Sequence, residues 1–166
     1  MRWRASAWGF AGSTVLMAVG LAVATSVGGS RLFALAAFTV FLVVAPCWLG
    51  TLALRRDLTV AAANGRVDAA WHAAIGMWST SLYGFFMVGG HAAVALLGAS
   101  FIGYPGVPQW AAWTTAVLGA AQALSFWVGW PRLFGMRGLL ELPVIIPLLP
   151  LFVAIPLVAS NLGPQF

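Results

Sequence analysis

Gly138–Ser160 reads GLLELPVIIPLLPLFVAIPLVAS. The run is long and apolar enough to cross a bilayer as a helix, for which roughly 20 residues suffice. It also holds Pro143, Pro147, Pro150, Pro156 and the chain's one glutamate, Glu141. Each proline inside a helix removes a backbone hydrogen bond and clashes with the carbonyl four residues back, at a cost of ~3 kcal/mol in water. The carbonyls released are those of Leu139, Pro143, Ile146 and Phe152. Hydrocarbon offers them no partner. A segment of this kind needs neighbouring helices, or a cavity, at its side, so the rest of the chain must supply a bundle.

The composition agrees. Of 166 residues, 62% are hydrophobic and 7% charged, with a mean hydropathy of +0.98. A soluble domain carries about 25% charged residues, and no polar run here exceeds a short loop, which leaves no room for a soluble second domain. The net charge of +5 comes from arginine alone. Those arginines stand singly or in pairs between apolar spans, as topology signals do, and form no clustered basic footprint for nucleic acid. The single cysteine, Cys47, precludes an intrachain disulfide and a multi-cysteine metal site.

Read in order, the chain is a single all-α transmembrane domain over residues 1–166, with helices at about 6–27, 32–54, 70–97, 110–130 and 138–160. The start, with Arg2, Arg4, an apolar middle and Ala22-Val23-Ala24, has two readings, a signal peptide and a first spanning helix; the second is adopted. Pro46 should kink helix 2 near its end. Arg55–Asp68 is the longest polar stretch and contains the turn signal Asn64-Gly65. Residues 98–109, rich in Gly and Pro and uncharged, read as an ordered loop, and 131–137 as a basic turn.

Five crossings put Arg2, Arg4, Arg55, Arg56, Arg66, Arg132 and Arg137 on one side and Arg31 on the other. Arginine-rich loops stay in the cytoplasm, so the amino terminus is expected inside and the carboxyl terminus outside. Trp3, Trp8, Trp48, Trp71, Trp127 and Trp130 fall near the inner interface, Trp110 and Trp113 near the outer one. The expected location is the cytoplasmic membrane of a bacterial cell, as a multi-pass protein.

The candidate ligand-binding residues are Glu141, Tyr83, Gln122, His91, Thr80 and Ser125; the pattern contains no catalytic set and no metal set. Tyr83 and Gln122 fall near the midplane of their helices. Thr80 with Tyr83, and Gln122 with Ser125, are three residues apart and share helix faces, so a polar patch between helices 3 and 4 is one expectation. Interhelical hydrogen bonding is the plainer reading of the same residues. Glu141, an intramembrane carboxylate in the first turn of helix 5, either handles protons or substrate or answers the helix's positive end and pairs with Arg137 or Arg132. His91 follows Gly89-Gly90 and has no second histidine at its depth to complete a haem site. No particular cofactor is implied.

Gly76, Thr80 and Gly84 on helix 3, and Ala112, Ala116 and Ala120 on helix 4, form stripes of small residues suited to close packing. Length, helix number and tryptophan content resemble the translocator-protein class in general shape, but that class's paired-proline loop and Trp-Ala-Asn motifs are missing, and no family is assigned. The leading expectation is an integral membrane subunit or accessory protein without chemistry of its own. Its partners would be the lipid bilayer and other membrane subunits or further copies of itself, not nucleic acid. The alternatives are a small-molecule carrier with a cavity between helices 3, 4 and 5, and an intramembrane redox or quinone-binding protein. The orientation has a direct check: a fluorescent protein should light up when fused to the amino terminus, and alkaline phosphatase should be active when fused to the carboxyl terminus. Both termini reporting from one side would refute it.

Overall fold

The computed structural model describes residues 2–27, 29–129 and 144–154. Four long helices follow one another: α1 Arg2–Val27, α2 Arg31–Ala63, α3 Ala69–Ser100 and α4 Gln109–Val128. A terminal segment comes after them, with a 3-10 turn over Ile146–Leu148 that runs into α-helix over 149–154. The described residues contain no strand. Three helices, α2, α3 and α4, are long and apolar enough to cross a membrane, and α1 carries the shorter apolar stretch Ala11–Ser26.

The boundaries shift from those expected, most of all in α2. Its helix passes through Pro46 and the Arg55-Arg56-Asp57 triplet and stops at Ala63 instead of Leu54. The triplet is polar but sits among leucine, arginine and alanine, all good helix formers. The stop comes where the chain can turn: the Asn64 amide donates to the Val60 carbonyl, and Gly65 takes φ +64. Asp68 then opens α3 by accepting from the Trp71 N–H at 2.8 Å, an N-cap worth about 1 kcal/mol. At 33 and 32 residues, α2 and α3 are each about 50 Å long, well beyond the ~30 Å of a hydrocarbon core.

The loop between α3 and α4 is ordered, as expected. Its turns are closed by Tyr104 N–H to the Phe101 carbonyl and Val107 N–H to the Tyr104 carbonyl, while the Gln109 side chain accepts from Gly103 N–H at 2.9 Å. The turn before α2 docks on the same end of the bundle, with Ser30 N–H donating to the Ser100 carbonyl at 2.7 Å. Gly29, at φ +76, lies so close to that carbonyl that a β-carbon would collide with it.

Helix α3 is the centre. It runs antiparallel to α2, with Gly89 against Val44 and Ser79 beside Thr51. It also runs antiparallel to α4: a β-carbon on Gly98 would fall 2.5 Å from Ala116 N, and one on Gly119 would fall 2.6 Å from Ala95 N. The two backbones therefore touch. Helix α1 leans on α2, where Leu21 joins Ala37 and Phe41 in the core. The terminal segment runs parallel to α3, placing Val144 against Gly90 and Leu151 and Ala154 beside Ala111, Leu97 and Phe101.

Val144, Pro147, Leu148, Leu151 and Ala154 are buried, while Ile145, Leu149, Phe152 and Val153 are exposed. That is a helical period with one face on the bundle. The proline problem is solved locally here. Pro147 opens the 3-10 turn, and the Leu149 N–H reaches the Ile146 carbonyl, the carbonyl that Pro150 cannot serve. Glu141, Pro143 and Pro156 lie outside the described residues, so the expectations attached to them are not met by any observation.

The α3–α4 contact yields a test. Gly119→Val should force the backbones apart and lower stability by about 1–3 kcal/mol, seen as a lower unfolding temperature in detergent. Gly76→Val, on an open part of α3 where a β-carbon meets no atom within 4 Å, should leave it nearly unchanged.

Candidate functional site

Two polar clusters lie in different seams of α3. The first joins α2 and α3. Thr51 is fully buried and Ser79 is 2% exposed. The Thr51 hydroxyl donates to the Cys47 carbonyl of its own helix at 2.9 Å and lies 3.3 Å from the Ser79 carbonyl across the seam. One turn along α2, the Arg55 Nε–H donates to Ser79 Oγ at 2.9 Å, and its guanidinium carbon stands 5.5 Å from the centre of the Tyr83 ring. Trp48 packs against Tyr83 at 6.0 Å and stacks on Phe86 at 5.0 Å. The result is a cation held edge-on by a hydroxyl and face-on by an aromatic ring, both on α3. Arg55 is itself exposed and its bond to Ser79 only part-buried, so the bond contributes on the order of 1 kcal/mol and the ring contact about 0.5–1 kcal/mol.

The second cluster joins α3 and α4. His91 is fully buried. Its Nδ1 lies 2.7 Å from the Met87 carbonyl, which places the ring proton on Nδ1 because a carbonyl only accepts. The ring stacks on Phe126 at 5.6 Å and 17°. Along α4, Thr115, Gly119, Gln122 and Phe126 follow at helical spacing. Thr115 Oγ1 and Gln122 Oε1 are buried without a hydrogen-bond partner among the described residues.

These placements redistribute the expected candidates. Tyr83 turns toward Trp48 and Arg55 of α2, whereas Gln122 belongs to the α3–α4 seam with His91. Thr80 is exposed and donates to the Gly76 carbonyl of its own helix. Ser125 likewise donates to the Gln122 carbonyl. Hydroxyls that return to their own helix backbone are satisfied without a ligand. Arg55, Ser79 and Thr51 were passed over in the sequence because the double arginine reads as a loop signal. The available clue was spacing: Thr51 and Arg55 are four apart, the interval that aligns side chains on one helix face.

Among the described residues, no group of three or more His, Cys, Asp or Glu could hold a metal ion. A shallow open depression at the α1–α2 turn is lined by Thr25, Ser26, Gly29 and Arg31. No family model, curated protein or solved structure matches this chain.

The seam between α3 and α4 carries a prediction of sign. If the Gln122 carboxamide is only a buried polar burden, Gln122→Leu should raise stability by about 1 kcal/mol. If it serves a bound ligand, the same variant should lose the stabilisation that the ligand gives. Thermal unfolding of purified protein, before and after delipidation, separates the two.

Proposed function

We propose that this chain is a five-span integral membrane protein of the cytoplasmic membrane, amino terminus inside, whose role is to pack against partner membrane subunits or further copies of itself. The parallel course of the terminal segment and α3 supports the fifth crossing, since α4 lies between them in the chain and runs the opposite way. Arg55 and Arg56 at one end of the α2 span and Arg31 at the other are separated by 24 positions, about 36 Å of helix, which suits two headgroup levels.

The observation that carries the partner reading is the uncovered side of the central helix. Trp71, Trp78 and Phe85 are 66%, 71% and 67% exposed and follow at seven-residue intervals, one stripe down α3. At this end α2 packs on α3 through Ser79, whereas α4 and residues 144–154 meet α3 nearer its Ser100 end. Ser79 marks the level of Arg55, and Trp71 lies eight residues beyond it, about 12 Å further from the membrane centre. Three large aromatics in one exposed stripe form an apolar patch that a protein partner would cover.

Closed helix seams favour this role over a carrier. The α3–α4 backbones meet at Gly98 and Gly119, where a substrate path between those helices would have to run. The specific support for the ligand-binding alternative is the pair of buried oxygens on Thr115 and Gln122.

Trp78→Ala combined with Phe85→Ala should leave the unfolding temperature within a few degrees of the parent, because both side chains are exposed, yet dissociate the assembly extracted in mild detergent. Size by light scattering reads this directly. A parent protein that is already a lone monomer would remove the proposal.

A further inference from the structure

The Arg55 cluster does more than fasten α2 to α3. We infer that Arg55 is the anion-binding centre of a phospholipid site at the inner headgroup level, taking the phosphodiester of an anionic lipid. This rests on the membrane reading above.

The argument begins with what holds the guanidinium. Its Nε–H is committed to Ser79 Oγ, and one face lies over the Tyr83 ring. Both restraints come from α3, and Ser79 is itself 2% exposed, so the plane of the fork is set by groups that are packed in place. The end of the fork, with one N–H from each terminal nitrogen, is a different edge from the one Ser79 occupies. Among the described residues, no carboxylate lies within ion-pair distance of Arg55 and no acceptor takes its terminal N–H groups. Asp57, on the same helix, is two residues on and so projects to the other side.

A guanidinium whose Nε edge is occupied and whose face is stacked still presents a pair of parallel N–H donors, the geometry that matches two phosphate oxygens. Arg56 and Arg66, both exposed, add positive charge at the same end of the bundle. That charge favours an anionic headgroup over a zwitterionic one. Ser79 and Tyr83 are positioning residues; Arg55 is the one that touches lipid.

The test uses the full chain, purified in detergent and stripped of lipid. Phosphatidylglycerol, phosphatidylcholine and inorganic phosphate are titrated separately, read by native mass spectrometry and by thermal shift. Phosphatidylglycerol should be retained at one tightly held copy and raise the unfolding temperature. Phosphatidylcholine should do so more weakly, and inorganic phosphate should not. Arg55→Gln should weaken phosphatidylglycerol retention about tenfold or more. Ser79→Ala, which keeps the charge but frees its edge, should weaken retention less while lowering the lipid-free unfolding temperature by a few degrees; it also stands in if Arg55→Gln does not fold.

Equal retention by Arg55→Gln and the parent would overturn the inference. A shift by inorganic phosphate matching that by phosphatidylglycerol would overturn the lipid assignment. Weak retention by the parent that becomes tight in Glu141→Gln would overturn it as well, because the arginine would then serve that carboxylate and not lipid. The membrane topology is read independently by the terminal fusions, so failure here leaves that reading standing.

Discussion

The structure depends on three consecutive residues of α3, Gly89, Gly90 and His91, each of which meets a different neighbour. A β-carbon on Gly89 would run into Val44 of α2, and one on Gly90 would press on Val144 of the terminal segment at 3.1 Å. His91 stacks on Phe126, and its carbonyl lies under Gly119 of α4. Successive residues on a helix point about 100° apart, so a tripeptide can face three partners at one level. Two of the three must then lack side chains for the neighbours to come close. For helices that cross a membrane, where no hydrophobic force draws them together, such closeness and the dispersion contacts it permits are the main attraction.

From this level the bundle diverges in character. Toward the Ser100 end, α3 is wrapped by α2, α4 and the terminal segment, and its buried residues are small or apolar: Ala93, Val94, Gly98 and Ser100. Toward the Ala69 end, α2 is the element that packs on α3 among the described residues. There the seam is held by polar groups, Thr51 with Ser79 and Arg55 with Ser79 and Tyr83, and the opposite side shows bare tryptophan. Packing by shape dominates one half and hydrogen bonding the other. The proposed lipid and partner contacts both fall in the second half.

The polar clusters also show why a list of intramembrane polar residues is a poor list of sites. Thr80 and Ser125 lie at favourable depths, but each hydroxyl closes on its own helix backbone. Tyr83 and Gln122 lie at similar depths on adjacent helices yet serve different seams. Depth follows from counting residues along a helix. Azimuth relative to a neighbour follows only from how the helices are arranged around one another.

The sequence by itself determined that the chain is helical and apolar, where its four long helices begin to within a few residues, and that a turn-rich loop, residues 101–108 in the structure, separates the third from the fourth. These follow from composition, from glycine and proline punctuation and from capping residues, all of which act locally. It misjudged the end of α2, because arginine and aspartate are both loop signals and tolerable helix residues, and only the packing of Arg55 on α3 decides between them. The accommodation of Pro150 by a 3-10 bond to Ile146, the central place of α3 and the grouping of Arg55 with Ser79 and Tyr83 belong to the tertiary structure. Each depends on contacts between residues distant in sequence, or on a choice among backbone conformations of nearly equal local energy, which neighbouring helices settle by what they leave room for.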